Sequence, residues 1–391
     1  MNRKRIVFST LLFLFFNCEH STEVVETRDL ESAVRENLII HNGEEIPRQL
    51  VDIAEQKRIL ILGETHYIQE HQEFVSKLLQ RLHAEGYRIF LIETFHAFSW
   101  MVADYVFGEI DYLPDHIRFF DNYWLEAIRN FNANLEDTEK IKFFYMDVNH
   151  WRDNFISSLL EIEKILGGQP LFDGIKSRQI DSPNYKSALL TLSNTISQNA
   201  AMYKTEWGNK WYERINEMID VEIKSSNFRT SRDDNLREAT MFDIIQSRIP
   251  ENRNIKVAIN CGSHHAQKNG LMGPKIKWIT PYLNEIYPDD IYSIAFIGIK
   301  GERKSSFSDP NVIEFNLIRE TSNNDLIRII GVEAGPNMAT LPLESSVFNK
   351  NVRVTYVSGS TFHLSPASQF DALITYPRVS ILNSMSAHDY N

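Results

Sequence analysis

The sequence predicts an α/β protein: a central, mostly parallel (mixed) sheet flanked by helices, with a helical cap inserted above it. Three observations carry this. Near-continuous apolar runs recur at Ile59 to Leu62, Arg88 to Ile92, Ile141 to Met146 and Ile255 to Ile259, the pattern of strands buried on both faces. The first two are joined by a segment in which Phe74, Val75, Leu78, Leu79 and Leu82 fall at helical spacing, and strand, helix, strand implies parallel pairing. From about 151 to 230 the pattern is helical with no strand run, which makes that stretch a cap rather than part of the sheet.

The elements follow in chain order. Met1 to Arg5 is a short basic segment, and Ile6 to Phe16 is an apolar run too short to span a bilayer as a helix. A basic start before such a run marks residues 1–17 as a signal peptide. The run ends at Asn17-Cys18, a loose bacterial lipobox that departs from the commonest pattern by its Asn. The expectation is an exported, membrane-anchored lipoprotein (periplasmic or cell surface), lipidated at Cys18. Residues 18–45 are polar and read as a lipoprotein tether with one short helix near Asp29 to Arg35. A single α/β domain then fills 46–391.

Within it, a helix from about Ile68 to Glu85 ends at Gly86. The cap carries helical patterns at Phe155 to Leu166, Tyr185 to Thr195 and Asn209 to Lys224. Ser231 with Asp234 three residues on reads as a helix start, and that helix runs to about Arg248, because Pro250 disfavours helical backbone at Ile249. Further strands are expected at Tyr292 to Ile299, Val352 to Val357 and Phe370 to Thr375.

Composition bounds the partners. Of 391 residues, 43% are hydrophobic and 24% charged, with a formal net charge of -11, so a nucleic-acid partner is not expected. Two cysteines, one of them Cys18, leave Cys261 without an intrachain partner and the chain without a disulfide framework. Cys261 reads as buried and inert rather than as a nucleophile.

Each apolar strand is followed at once by polar residues, and open α/β sheets keep their ligands at the carboxyl ends of their strands. Gly63-Glu64-Thr65-His66 comes first. In extended backbone Glu64 and His66 point to one side, with His66 a general base or metal ligand and Glu64 a ligand or an orienting group. The alternative is a Glu64 that complements the following helix and a surface His66. Glu93 ends the second strand, as a catalytic carboxylate or one half of a structural ion pair with an arginine. Gly262-Ser263-His264-His265 follows the fourth strand. One histidine should face the cleft, and His264 is assigned inward. Asp147, Asn149 and His150 follow the third strand as supporting groups, with His150 equally a packing residue. Arg118, Arg129 and Arg232 can supply positive charge to a developing oxyanion, or simply pair on the surface. No Gly-rich phosphate loop, Gly-x-Ser-x-Gly elbow or Cys-x-x-Cys is present.

In order, Gly63-Glu64-Thr65-His66, Glu93, the run Phe120 to Asn132, Phe144-Tyr145-Met146-Asp147, Arg232 to Leu236 and Gly262 to His265 resemble the erythromycin esterase-like family. They also resemble the wider superfamily of Tiki/TraB metalloproteases and ChaN-like haem-binding lipoproteins. The likeness covers roughly residues 55 to 300, more weakly the segment around Phe370 to Ile374. The esterases usually space the Glu and His by one residue more and tend to separate the two late histidines, so the spacing here is closer to the Tiki and ChaN-like pattern. The resemblance implies a cleft lined by Glu64, His66, Glu93 and a histidine near 264. It also implies a hydrolase in which the first histidine activates water for ester, lactone or amide cleavage of a small-molecule or peptide substrate. His66, Glu93, His264 and Arg232 are the expected catalytic set. A metal version uses Glu64, His66, Glu93 and His264 on one divalent ion, and mixed oxygen and nitrogen donors suit Zn or Mn. The other reading is a ChaN-like lipoprotein that holds haem, iron or another ligand without turnover.

Overall fold

The computed structural model describes residues 25–41, 46–114, 117, 122–150, 153–178, 182–270, 275–304, 311–356 and 360–382. The expected signal peptide, Cys18 and Arg118 lie outside the described residues. Among the described residues no helix is long and apolar enough to cross a membrane.

The strands in chain order are β1 (Ile39–Ile40), β2 (Ile59–Glu64), β3 (Tyr87–Phe95), β4 (Lys142–Asp147), β5 (Lys256–Gly262) and β6 (Ile291–Gly298). There follow β7 (Lys300–Arg303), β8 (Ile313–Asn316), β9 (Ala339–Pro342), β10 (Val352–Thr355), β11 (Thr361–Leu364) and β12 (Ala372–Tyr376). Eight of them form one sheet in the order β1-β9-β12-β6-β2-β5-β3-β4. From β12 to β4 every pairing is parallel. β9 joins β12 antiparallel, and β1 joins β9 antiparallel. The mixed α/β architecture expected from the apolar runs is therefore the observed one. β2 shows why: Ile59 to Leu62 are each 0% exposed, so both faces are covered and no polar alternation is tolerated. β2, β5, β3 and β4 are neighbours, which brings the polar ends of the expected strands to one edge.

The helix after β2 spans Gln69–Leu82, continues as a 3-10 turn at His83–Glu85, and stops at Gly86 with a left-handed φ of 91°. The cap comprises helices Asn154–Leu166, Pro170–Lys176, Pro183–Gln198 and Ala200–Ser231. A buried polar knot ties it to the sheet. Glu222 accepts from Tyr185 Oη at 2.8 Å, Asn149 Nδ2 at 2.8 Å and Arg229 Nη2 at 2.6 Å. Every buried charge there has a partner, as burial requires.

Two expectations are corrected. Ser231 does not start the next helix; it closes the previous one. Arg232 breaks the path with φ 56°, and Asp233 is the cap of Asp234–Arg248, its Oδ1 accepting from Asn235 N at 3.0 Å. Packed structure also begins before Ile46. The helix expected near Asp29 to Arg35 runs Thr27–Asn37 and buries Leu30, Ala33 and Val34 against helix Leu326–Ala334 and β9. β1 extends the sheet edge beyond it. An apolar i, i+3, i+4 stripe gave that helix a face to bury.

Candidate functional site

The site is built at the carboxyl ends of β2, β3, β4 and β5. Glu64 closes β2 and His66 follows in the loop. His66 Nδ1 lies 2.8 Å from Glu64 Oε1. A carboxylate only accepts, so this bond fixes the proton on Nδ1 and leaves Nε2 as the free lone pair. Glu64 Oε2 is held from behind by His71 Nε2 at 3.1 Å. That nitrogen also lies 2.7 Å from Asn260 Oδ1 on β5.

Glu93 sits where β3 carries one residue more than β4 between the pairs Ile92–Tyr145 and Phe95–Asp147. Such a bulge re-aims side chains, and here it accompanies a carboxylate directed at β5. Glu93 Oε2 accepts from Gly262 N at 2.6 Å. Oε1 accepts from Arg237 Nη2 at 2.5 Å and lies 3.1 Å from His265 Nε2. Gly262 is needed for this approach: a β-carbon there would come within 2.8 Å of His66 Nε2 and 3.4 Å of Glu93 Oε2. Those two atoms thus share the space over Gly262, and that space is the candidate reaction point.

Beneath it lies a buried charge network. Arg237 grips Asp147 by two bonds, Nε to Oδ1 at 2.9 Å and Nη2 to Oδ2 at 2.6 Å. His150 Nε2 lies 2.9 Å from Asp147 Oδ2. His265 bridges two carboxylates, Glu93 through Nε2 and Glu238 through Nδ1 at 2.9 Å. Glu238 Oε2 accepts from Ile279 N at 3.0 Å.

These contacts set the ionisation. Burial lowers the pKa of His265, but Glu93 and Glu238 outweigh it and push the group up to about 10. Burial raises Glu93, but His265 and Arg237 hold it well below the ordinary carboxylate range. Glu64 is likewise held low, against its burial, by the hydrogen bond from His66 and the charge of His71. His66 is raised: desolvation opposes its charge, while the Glu64 bond and the charges of Glu93 and Glu64 favour it. The Cys261 thiol is buried and pushed far up, so it stays protonated.

The structure brings Glu64, His66 and Glu93 together. It does not bring in His264 as assigned. His265 is the inward histidine, 5% exposed, whereas His264 is exposed and stacks on Trp278 with centroids 5.8 Å apart. The pair lies past the end of β5 in a turn, where strand alternation no longer decides direction. Arg232 is exposed at its helix end, and among the described residues no bond links it to this cluster. Arg237 takes the central place instead. Arg129 is engaged by Asp111 and the carbonyls of Tyr105 and Ile110. Asp147 supports the site directly, and Asn149 serves the cap.

Arg237, Glu238, His71 and Tyr67 were the residues sequence reasoning missed, and His265 was the histidine of the pair it assigned outward. A signal existed for Glu238. It shares an i, i+3, i+7 stripe with Met241 and Ile245, all three 0% exposed, and a carboxylate on a buried stripe demands a partner. Tyr67 shows only in the backbone, with φ 70°. Its ring lies against His66 at 5.7 Å, and burial together with Glu64 and Glu93 pushes its phenol up to about 12.

Of the expected metal set, Glu64, His66 and Glu93 lie together, while His264 is turned away onto Trp278. Among the described residues no three His, Cys, Asp or Glu side chains stand as a metal-ligand group. Glu93 is occupied by Arg237, His265 and Gly262 N, and Glu64 by His66 and His71. Two protein cations, Arg237 and His265, already balance Glu93.

The sequence matches no family model and no curated protein. The fold is found in solved structures. A Bacillus cereus protein gives a TM-score of 0.70 at 15% identity, over 91% of this chain and 98% of its own. A succinoglycan biosynthesis protein gives 0.69 at 13% identity, with the same coverage. The erythromycin esterase EreC, in its open conformation, gives 0.62 at 13% identity, over 88% of this chain and 98% of its own. At such identity the likeness is one of fold, and the fold is erythromycin esterase-like.

Proposed function

We propose that the protein is a hydrolase that activates water for cleavage of an ester or lactone. The observation that carries the reading is the Glu64–His66 bond. It fixes the tautomer and directs an unprotonated Nε2 into the space over Gly262, beside Glu93. Water held there loses a proton to Nε2 as its oxygen attacks the carbonyl carbon. The leaving alkoxide takes the proton back, and acid and alcohol result. Glu64 and Glu93 flank the imidazolium formed in between. Arg237 and His265 keep Glu93 ionised and fixed on Gly262 N, so its part is to orient water and balance that charge, not to exchange a proton. The basic, apolar start ending at Cys18 supports export with a lipid anchor.

A panel of esters and lactones tests this. Turnover of at least one member is expected, falling by about 10²- to 10⁴-fold in His66→Ala. Because the His66 pKa is raised above 6.5 and only the neutral ring accepts a proton, kcat/KM should climb as pH rises through that raised value. Full activity in His66→Ala sinks the proposed base. No turnover across the panel, with a ligand retained in the cleft, would favour binding without catalysis.

A further inference from the structure

The loop that carries His66 is held by a segment from the far end of the chain. Tyr67 has φ 70°, a left-handed conformation that a residue with a β-carbon keeps only where its surroundings impose it. Those surroundings are residues 379–382. Leu382 N donates to Tyr67 O at 3.0 Å, and Gln69 N donates to Ser380 O at 3.0 Å. Ile68 and Ile381 form an antiparallel bridge. Ser380 donates twice to Glu70, through N to Oε2 at 2.8 Å and through Oγ to Oε1 at 2.6 Å.

This segment is itself fixed. Val379 N donates to Lys300 O at 2.9 Å, and Val379 O accepts from Glu302 N at 3.0 Å. The fit requires glycine at 301, where φ is 133° and a β-carbon would fall 1.9 Å from Val379 O. Val379 and Leu382 are 1% and 7% exposed. The catalytic loop therefore lies between two pins: His71 behind Glu64 on one side, and residues 379–382 on the other.

We propose that Val379–Leu382 is a positioning strap, which imposes the left-handed turn at Tyr67 and so holds the His66 ring over Gly262. Ser380 and Glu70 are then positioning residues, acting through His66. The consequence for turnover rests on the hydrolase reading, whereas the placement of His66 does not.

The experiment uses the full chain and needs no substrate. Glu70→Ala removes both acceptors for Ser380 and leaves Glu64, His66 and Glu93 intact; a chain ending at Arg378 is the harsher variant, kept for comparison if it folds. NMR of the labelled histidines follows the His66 titration, and hydrogen exchange follows amides 66–70. In Glu70→Ala the His66 midpoint should fall toward the ordinary histidine value as its Glu64 contact loosens, with loop exchange about tenfold faster and core amides unchanged. An unchanged His66 midpoint and unchanged loop exchange in Glu70→Ala overturn the proposal. So does a change matched by equal loosening of the core. If the loop behaves as expected and no ester is turned over, the strap stands and the hydrolase reading fails.

Discussion

His265 offers a prediction whose size follows from its surroundings. It is buried between Glu93 and Glu238, with a pKa raised from 6.5 to about 10. A group whose folded pKa is raised contributes its full stabilisation below the unfolded value and loses it as pH climbs to the folded one. At about 1.4 kcal/mol per pKa unit, this imidazolium contributes on the order of 5 kcal/mol below pH 6.5, decaying to nothing near pH 10. The perturbation is His265→Gln, which keeps a polar side chain and removes the titration. Urea unfolding of both proteins at pH 7 and pH 9 gives the difference in stability, in which all groups unaffected by the substitution cancel. That difference should shrink by about 3 kcal/mol between the two pH values, with wild type the more stable at pH 7. Parallel stability curves across this window would refute a buried imidazolium, and with it the account of why Glu93 stays ionised.

Gly262→Ala would place a methyl 2.8 Å from His66 Nε2. Activity on the responsive ester should drop at least about tenfold, while the unfolding midpoint moves little, since His66 is partly exposed and can swing aside. Activity equal to wild type would show that the reaction point lies elsewhere. For the anchor, labelled palmitate should be incorporated into the full-length protein in a bacterial host and lost in Cys18→Ser. Equal labelling of both would remove Cys18 as the lipid site.

The sequence by itself determined the sheet. Four both-faces-buried strands are legible because burial on two sides forbids polar alternation, and the amphipathic helix between the first two sets them running parallel, with β5 between them in the sheet. It also determined that Glu64, His66 and Glu93 share an edge, because strand ends in a parallel sheet lie together whatever the loops do. Tertiary structure alone decided which neighbours complete the site. Whether His264 or His265 turns inward depends on Trp278, which stacks on the former, and on Glu238, which binds the latter. Whether Arg232 or Arg237 supplies the charge depends on where one helix ends and the next is capped, a shift of a few residues that rotates every side chain after it. The link between Glu70 and Ser380 spans 310 positions, and no local propensity encodes it. Strand patterns record burial, which repeats along the chain; a charge network records which groups meet across it, and that is fixed only when the chain has folded.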